Sequence, residues 1–252
     1  MRPLRILVNA DDLGMSAAVN DAVFAAIDAG ICTATSLLAT GPAADDALAR
    51  ARRAGLAVGV HLDLTGFTSL TRPPGVTGAD GRFLGDVRAL SGIDSDAAVV
   101  EWLAQVSRVR DAGVVVDHLD SHQHVHHLPA LRRALSEVCA RTGVRRVRGM
   151  GALRPTGAGT RLGALLQPVR AARFRDALRA EGLVTTDGFA PVSVFLDRPR
   201  QFAARGWETV ELMAHPGNPH HARYAEETAR LAAGALDRVG RPIVKVGWGE
   251  IG

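Results

Sequence analysis

Apolar and polar positions along the chain alternate between two periods. Short apolar runs bounded by turn residues occupy 4–9, 35–39, 57–60, 114–119, 144–147, 183–186, 209–213 and 243–246, a pattern that predicts strands. Between them apolar residues recur at helical spacing: Val19, Val23, Phe24 and Ile27 in one segment, Val99, Trp102, Leu103, Val106 and Val109 in another. Ser16 predicts the N-cap of the first helix and Gly30 its stop, while Pro42 opens and Gly55 closes the second. Further helices are predicted from 94 or 95 to 111, over 129–141, 170–180, 192–204 (with Pro199 interrupting) and 222–239, plus a short one near 162–166. From 66 to 92 the periodicity fails, and Pro73, Pro74 and six glycines predict a long loop. A loop of that length in a compact domain is commonly functional, so it is expected to wall a binding site.

Strand and helix alternate at the spacing of βαβ crossovers, which predicts an α/β fold. No linker, composition shift or repeat divides residues 1–252, so one domain is expected. Eight strand candidates favour a single (β/α) barrel, distorted or incomplete; a doubly wound open sheet is the alternative.

Composition narrows the function classes. With 47% hydrophobic and 22% charged residues the chain has ample core. Aromatics are only 4%, too few for a base-stacking nucleic-acid platform. The formal net charge is +4, carried almost wholly by arginine, with Lys245 the only lysine. The charges are scattered, as on a solvated surface, and no nucleic-acid partner is expected. No apolar run reaches spanning length, and the N-terminus reads directly into a strand, so a cytoplasmic location without signal peptide or transmembrane segment is expected. Cys32 and Cys139 lie in apolar settings without a CxxC partner and read as buried free thiols.

Five of the nine histidines fall within the eleven residues 117–127, directly after the fourth strand candidate. Neutral imidazole is a common metal ligand, so the stretch is a candidate metal site. In a barrel, sites gather at the C-terminal ends of strands. Asp11 and Asp12 follow strand one, His61 strand three, His122 strand four and His215 the seventh candidate. One of the two aspartates can ligate a metal while its neighbour accepts a proton, since successive residues of extended chain point opposite ways. His122 and His126 share a side if the loop turns helically; His122, His124 and His126 share one if it stays extended. Asp120 can orient a ligand imidazole. His118 and His127 read as structural or exposed. His215, preceding Pro216 and held extended, suits a proton donor. There is no GxGxxG or Walker loop in context, no G-x-S-x-G elbow and no HExxH.

Four blocks together resemble the YdjC-like, ChbG-type carbohydrate deacetylase family: Asn9-Ala10-Asp11-Asp12-Leu13-Gly14, Gly59-Val60-His61-Leu62, Leu119-Asp120-Ser121-His122-Gln123-His124-Val125-His126 and Glu211-Leu212-Met213-Ala214-His215-Pro216. The resemblance covers almost the whole chain. It implies a barrel-like fold related to the NodB-type polysaccharide deacetylases, and hydrolysis of an N-acetyl group on an amino sugar, either a chito-oligosaccharide or a related glycoconjugate. Some members act on a lipid-linked sugar. It also implies one divalent metal ion, Mg2+ or Zn2+, on Asp12, His61 and His122, with Asp11 as general base and His215 as general acid. His126, His124 and Asp120 remain candidates for a further ligand or a supporting contact. Gln123 departs from the family pattern, where a third consecutive histidine is frequent. The sequence is silent on oligomeric state; a homodimer is possible, being the commonest among soluble oligomers. The alternatives are a metal-dependent phosphoesterase on a barrel scaffold and a sugar-binding relative without turnover.

Overall fold

The computed structural model describes residues 2–152, 161–220 and 222–252. Its strands are β1 (Leu4–Leu13), β2 (Ala34–Leu37), β3 (Val58–Leu62), β4 (Val116–Ser121), β5 (Gly188–Pro191), β6 (Thr209–Ala214) and β7 (Ile243–Lys245). Its α-helices are α1 (Ala17–Asp28), α2 (Ala44–Ala54), α3 (Ser95–Asp111), α4 (Arg132–Thr142), α5 (Arg161–Ala180), α6 (Val192–Asp197), α7 (Pro199–Ala203) and α8 (Ala222–Ala232). Every ladder between these strands is parallel. The fold is therefore α/β.

The predicted caps at Ser16 and Gly55 act as expected, whereas α2 opens at Ala44 after an Ala43 N-cap rather than at Pro42. Ser16 Oγ accepts from the Val19 N–H at 3.2 Å, and Asp94 caps α3 by accepting from the Asp96 N–H at 3.0 Å. Gly55 closes α2 in the left-handed region, at φ 61, where a side chain would be strained.

The described residues gather into two compact units. One comprises residues 1–11, 22–34 and 146–252, the other 12–21 and 35–145. In the first, β1 is flanked by β6 and β7, and β5 adds to β6. Leu7, Ala34, Val246, Trp248 and Ile251 form a core there, so Trp248 is a packing residue. Burial pushes the Cys32 thiol up to about 12; Lys245 opposes that shift and Asp11 adds to it. Asp187 lies below its ordinary value because hydrogen bonds from Arg179, Thr209 and Glu208 outweigh its partial burial. In the second unit β3 pairs with both β2 and β4, and His61 stands directly opposite Asp120.

Seven strands form among the described residues rather than the eight expected. The runs 144–147 and 183–186 meet only through an isolated parallel bridge, Arg146 to Val184. The unforeseen strand is β5, whose four residues include a glycine and a proline and so carry a weak strand signal. Gly188 is required there: a Cβ would sit 2.4 Å from the Trp207 ring. The helix expected over 192–204 splits at Arg198, which leaves helical geometry at φ −135 before Pro199, as the residue before proline tends to do. The helix expected over 222–239 ends at Ala232, and left-handed Gly234 starts a separate 3-10 turn. The short helix placed near 162–166 is part of α5, while residues 153–160 lie outside the described residues. Among the described residues, no helix is long and apolar enough to cross a membrane.

Candidate metal centre and its flanking groups

β3 delivers His61 from its penultimate position, and β4 ends at Ser121 so that His122 opens the following 3-10 turn. Asp12, near the end of β1, adopts φ 68, left-handed backbone that costs a non-glycine residue about 1 kcal/mol or more. The three side chains converge: one ligand atom from each of Asp12, His61 and His122 lies within 4.8 Å of the others. Asp12 Oδ1 is 3.2 Å from His122 Nδ1 and 3.6 Å from His61 Nε2. Two ligands each roughly 2.1 Å from a tetrahedral ion sit about 3.4 Å apart. The donor set and its spacing therefore fit one divalent cation. Asp12 and His61 are buried, while His122 is partly open to solvent.

His61 is oriented from behind. Its Nδ1 lies 2.8 Å from Asp120 Oδ1, and Asp120 Oδ2 accepts from Ser36 Oγ at 2.7 Å. A Nδ1–H donated to Asp120 leaves the Nε2 lone pair facing Asp12, the tautomer a metal requires. Asp120→Asn keeps an acceptor but removes the charge behind the imidazole. It is expected to weaken divalent-metal binding about 10-fold, measured by calorimetric titration of the metal-free protein. Unchanged affinity would show that Asp120 does not tune His61.

The other histidines of the stretch go elsewhere. Gln123 and His124 both take left-handed backbone, at φ 52 and 56, so the loop is neither the regular helix nor the extended run weighed above. His126 is buried with Nδ1 against Ser121 Oγ, and its ring packs on His127 at 4.0 Å. His124 stacks on His127 at 5.5 Å. Neither His124 nor His126 belongs to a potential metal group among the described residues. His118 is buried, with Nδ1 2.6 Å from Asp117 and Nε2 facing Ser36. Gly59 makes room for it, since a Cβ there would lie 2.2 Å from His118 Nε2.

Asp11 belongs to the first unit, with different partners from its neighbour. Arg148 grips it with two N–H···O bonds, both 2.6 Å, and Asn9 Nδ2 donates to Asp11 Oδ1 at 2.8 Å. The same guanidinium donates to Glu211 Oε1 at 2.6 Å and lies 5.0 Å above the Phe189 ring. Arg148, Asp11 and Glu211 are all buried. β1 and β6 match Ala10 with Ala214, so Asp11 and His215 each follow that pair at the same end of adjacent strands. His215 is buried and stacked on Tyr224, with centroids 4.1 Å apart.

In sequence Arg148 lies close to Arg145 and Arg146, and nothing separates it from a solvated basic run. Glu211 did leave a signal: a lone charge between Val210 and Leu212 inside an apolar run, which is costly unless paired.

A parallel α/β chain that brings a carboxylate and two imidazoles together at strand ends defines a candidate mononuclear metal protein. The family described as YdjC-like protein matches residues 5–239, so the chain belongs to it. It is similar to a human carbohydrate deacetylase, 34% identical over 249 residues, covering 86% of this chain and 76% of the relative. It is also similar to a chitooligosaccharide deacetylase of Enterobacter sp. (strain 638), 30% identical, covering 93% and 87%. A solved structure from Enterococcus faecalis V583, described as a candidate cellobiose-phosphate cleavage protein, covers 98% of both chains with a TM-score of 0.78. At 21% identity that likeness speaks to the fold alone.

Proposed function

We propose that the chain is a metal-dependent carbohydrate N-deacetylase that converts an N-acetylated amino sugar and water into the free amine and acetate. The observation that carries this is the convergence of Asp12, His61 and His122 within 4.8 Å; the residue preceding Asp12 in sequence, Asp11, is a second carboxylate held by its own arginine. Membership of the family and the deacetylase names of its relatives support a carbohydrate substrate, which we read as an N-acetylglucosamine-containing oligosaccharide or glycoconjugate.

A divalent ion, Mg2+ or Zn2+, held by the triad would polarise the acetamide carbonyl and make water acidic enough to attack near neutral pH. Asp11 accepts the proton of the attacking water. Arg148 fixes the rotamer of that carboxylate, so it needs no reorganisation when the proton arrives. His215 delivers a proton to the leaving nitrogen, which otherwise departs as a strongly basic amide anion. The C–N bond breaks, the amine leaves and acetate remains.

Acetate release from N-acetylated chito-oligosaccharides tests this. Activity is expected to vanish with chelator and return with added metal. Asp11→Asn and His215→Ala are each expected to reduce kcat roughly 10²- to 10⁴-fold while metal binding persists, the range for loss of a general base or acid. Phosphate release from a phosphoester by the same metal-loaded protein, without acetate release from any N-acetyl sugar, would overturn the proposal.

A further inference from the structure

His61 and His122 are held in place by different means. Asp120 hydrogen-bonds the nitrogen of His61 that faces away from Asp12. Among the described residues, no hydrogen bond reaches Nε2 of His122, whose side chain is 17% exposed. Packing surrounds it instead. The Phe67 ring lies 6.0 Å from the His122 ring, centroid to centroid. The backbone at Gly66 comes closer still: a Cβ there would sit 3.1 Å from His122 Cδ2 and 3.3 Å from Nε2.

The segment that carries these two residues is pinned at both ends by buried carboxylates. Asp63 accepts from the N–H groups of Thr65, Gly66 and Phe67 at 2.7 to 3.0 Å and from Thr40 Oγ1 at 2.8 Å. Glu101, on α3, accepts from the Leu70 and Thr71 N–H groups and from the Ser69 and Thr71 hydroxyls. Gln105 joins the two anchors. Its Nε2 donates to Glu101 Oε1 and to the Asp63 carbonyl, and its Oε1 accepts from the Asp63 N–H. Charge-assisted bonds to fully buried carboxylates are among the stronger hydrogen bonds available. The start of the long loop therefore has little freedom where it meets His122.

We infer that this pinned segment is the positioning element for His122, acting through Phe67, and that it sets the affinity of the site for its metal. A rigid apolar wall does for His122 what the Asp120 carboxylate does for His61. The inference rests on the metal site proposed above. A ligand imidazole that can swing loses affinity, and disturbing what orients a ligand typically costs 10- to 100-fold in metal binding.

The test titrates metal-free protein with Zn2+ by calorimetry and with Co2+ by visible absorption. Phe67→Ala is expected to weaken Zn2+ binding about 10-fold and to alter the Co2+ spectrum, which reports ligand geometry, while the metal-free melting temperature stays close to native. Phe67→Leu keeps an apolar wall and is expected to recover most of the affinity. Glu101→Gln, which leaves Phe67 in place but weakens its anchorage, is expected to fall between native and Phe67→Ala. Native Zn2+ affinity together with a native Co2+ spectrum in Phe67→Ala would overturn the positioning role and leave the metal site standing. Failure of the native protein to bind either ion would overturn both.

Discussion

Asp12→Asn is expected to abolish metal binding at micromolar Zn2+ and to lower acetate release about 10³-fold or more. Loss of the ion removes several kcal/mol of transition-state stabilisation, and each 1.36 kcal/mol is a factor of ten in rate. Asparagine is the informative replacement because the site is conformationally demanding. Asp12 sits at φ 68, a region asparagine tolerates far better than alanine. The variant therefore keeps the backbone and the side-chain shape while losing the anionic ligand. Its metal-free melting temperature should match that of the metal-free native protein. Its melting temperature with metal should no longer rise, because an ion that binds only the folded state stabilises only when it binds. Retained metal-dependent turnover would remove Asp12 from the ligand set.

Arg148→Met is expected to destabilise the protein itself, with or without metal. The guanidinium is fully buried between two buried carboxylates, with three N–H···O contacts of 2.6 Å. Methionine fills part of the volume but removes the guanidinium that the buried Asp11 and Glu211 carboxylates share. Breaking a buried charge pair by removing one partner costs about 3–5 kcal/mol. For a chain of this size each kcal/mol is worth roughly 2–4 °C, so a drop of about 10 °C is expected in a thermal melt. Arg148→Lys retains the charge without the two-pronged geometry and should lie between. A melting temperature unchanged in Arg148→Met would show that the buried cluster contributes nothing net to the fold.

Much of this arrangement was legible in the chain because strand ends announce themselves. The apolar runs before Asp11, His61, His122 and His215 located all four at C-terminal strand ends, and a parallel α/β fold sends such positions to one end of its ladders. Periodicity carries no information about what lies past the last regular residue. Helical and extended readings of 122–126 both failed because Gln123 and His124 turn left-handed, and no period describes that. Arg148 was invisible for another reason. An arginine among arginines looks solvated, and only the carboxylates of Glu211 and Asp11, 63 and 137 residues away in sequence, explain why this one is buried. The loop from 66 to 92 was identified by its glycines and prolines. The groups that order its first turn, Glu101 and Gln105, lie on the buried face of α3, within an apolar stripe whose period carries no information about single polar residues.

Asp11 and Asp12 turn to separate partners although nothing but one peptide bond lies between them. That bond sets their Cα atoms about 3.8 Å apart, a spacing that breathing of the surrounding scaffold leaves untouched. The proton acceptor and the cation holder proposed at these neighbouring positions would thus inherit their register from covalent geometry. Insertion or deletion anywhere else in the chain leaves that interval unaltered.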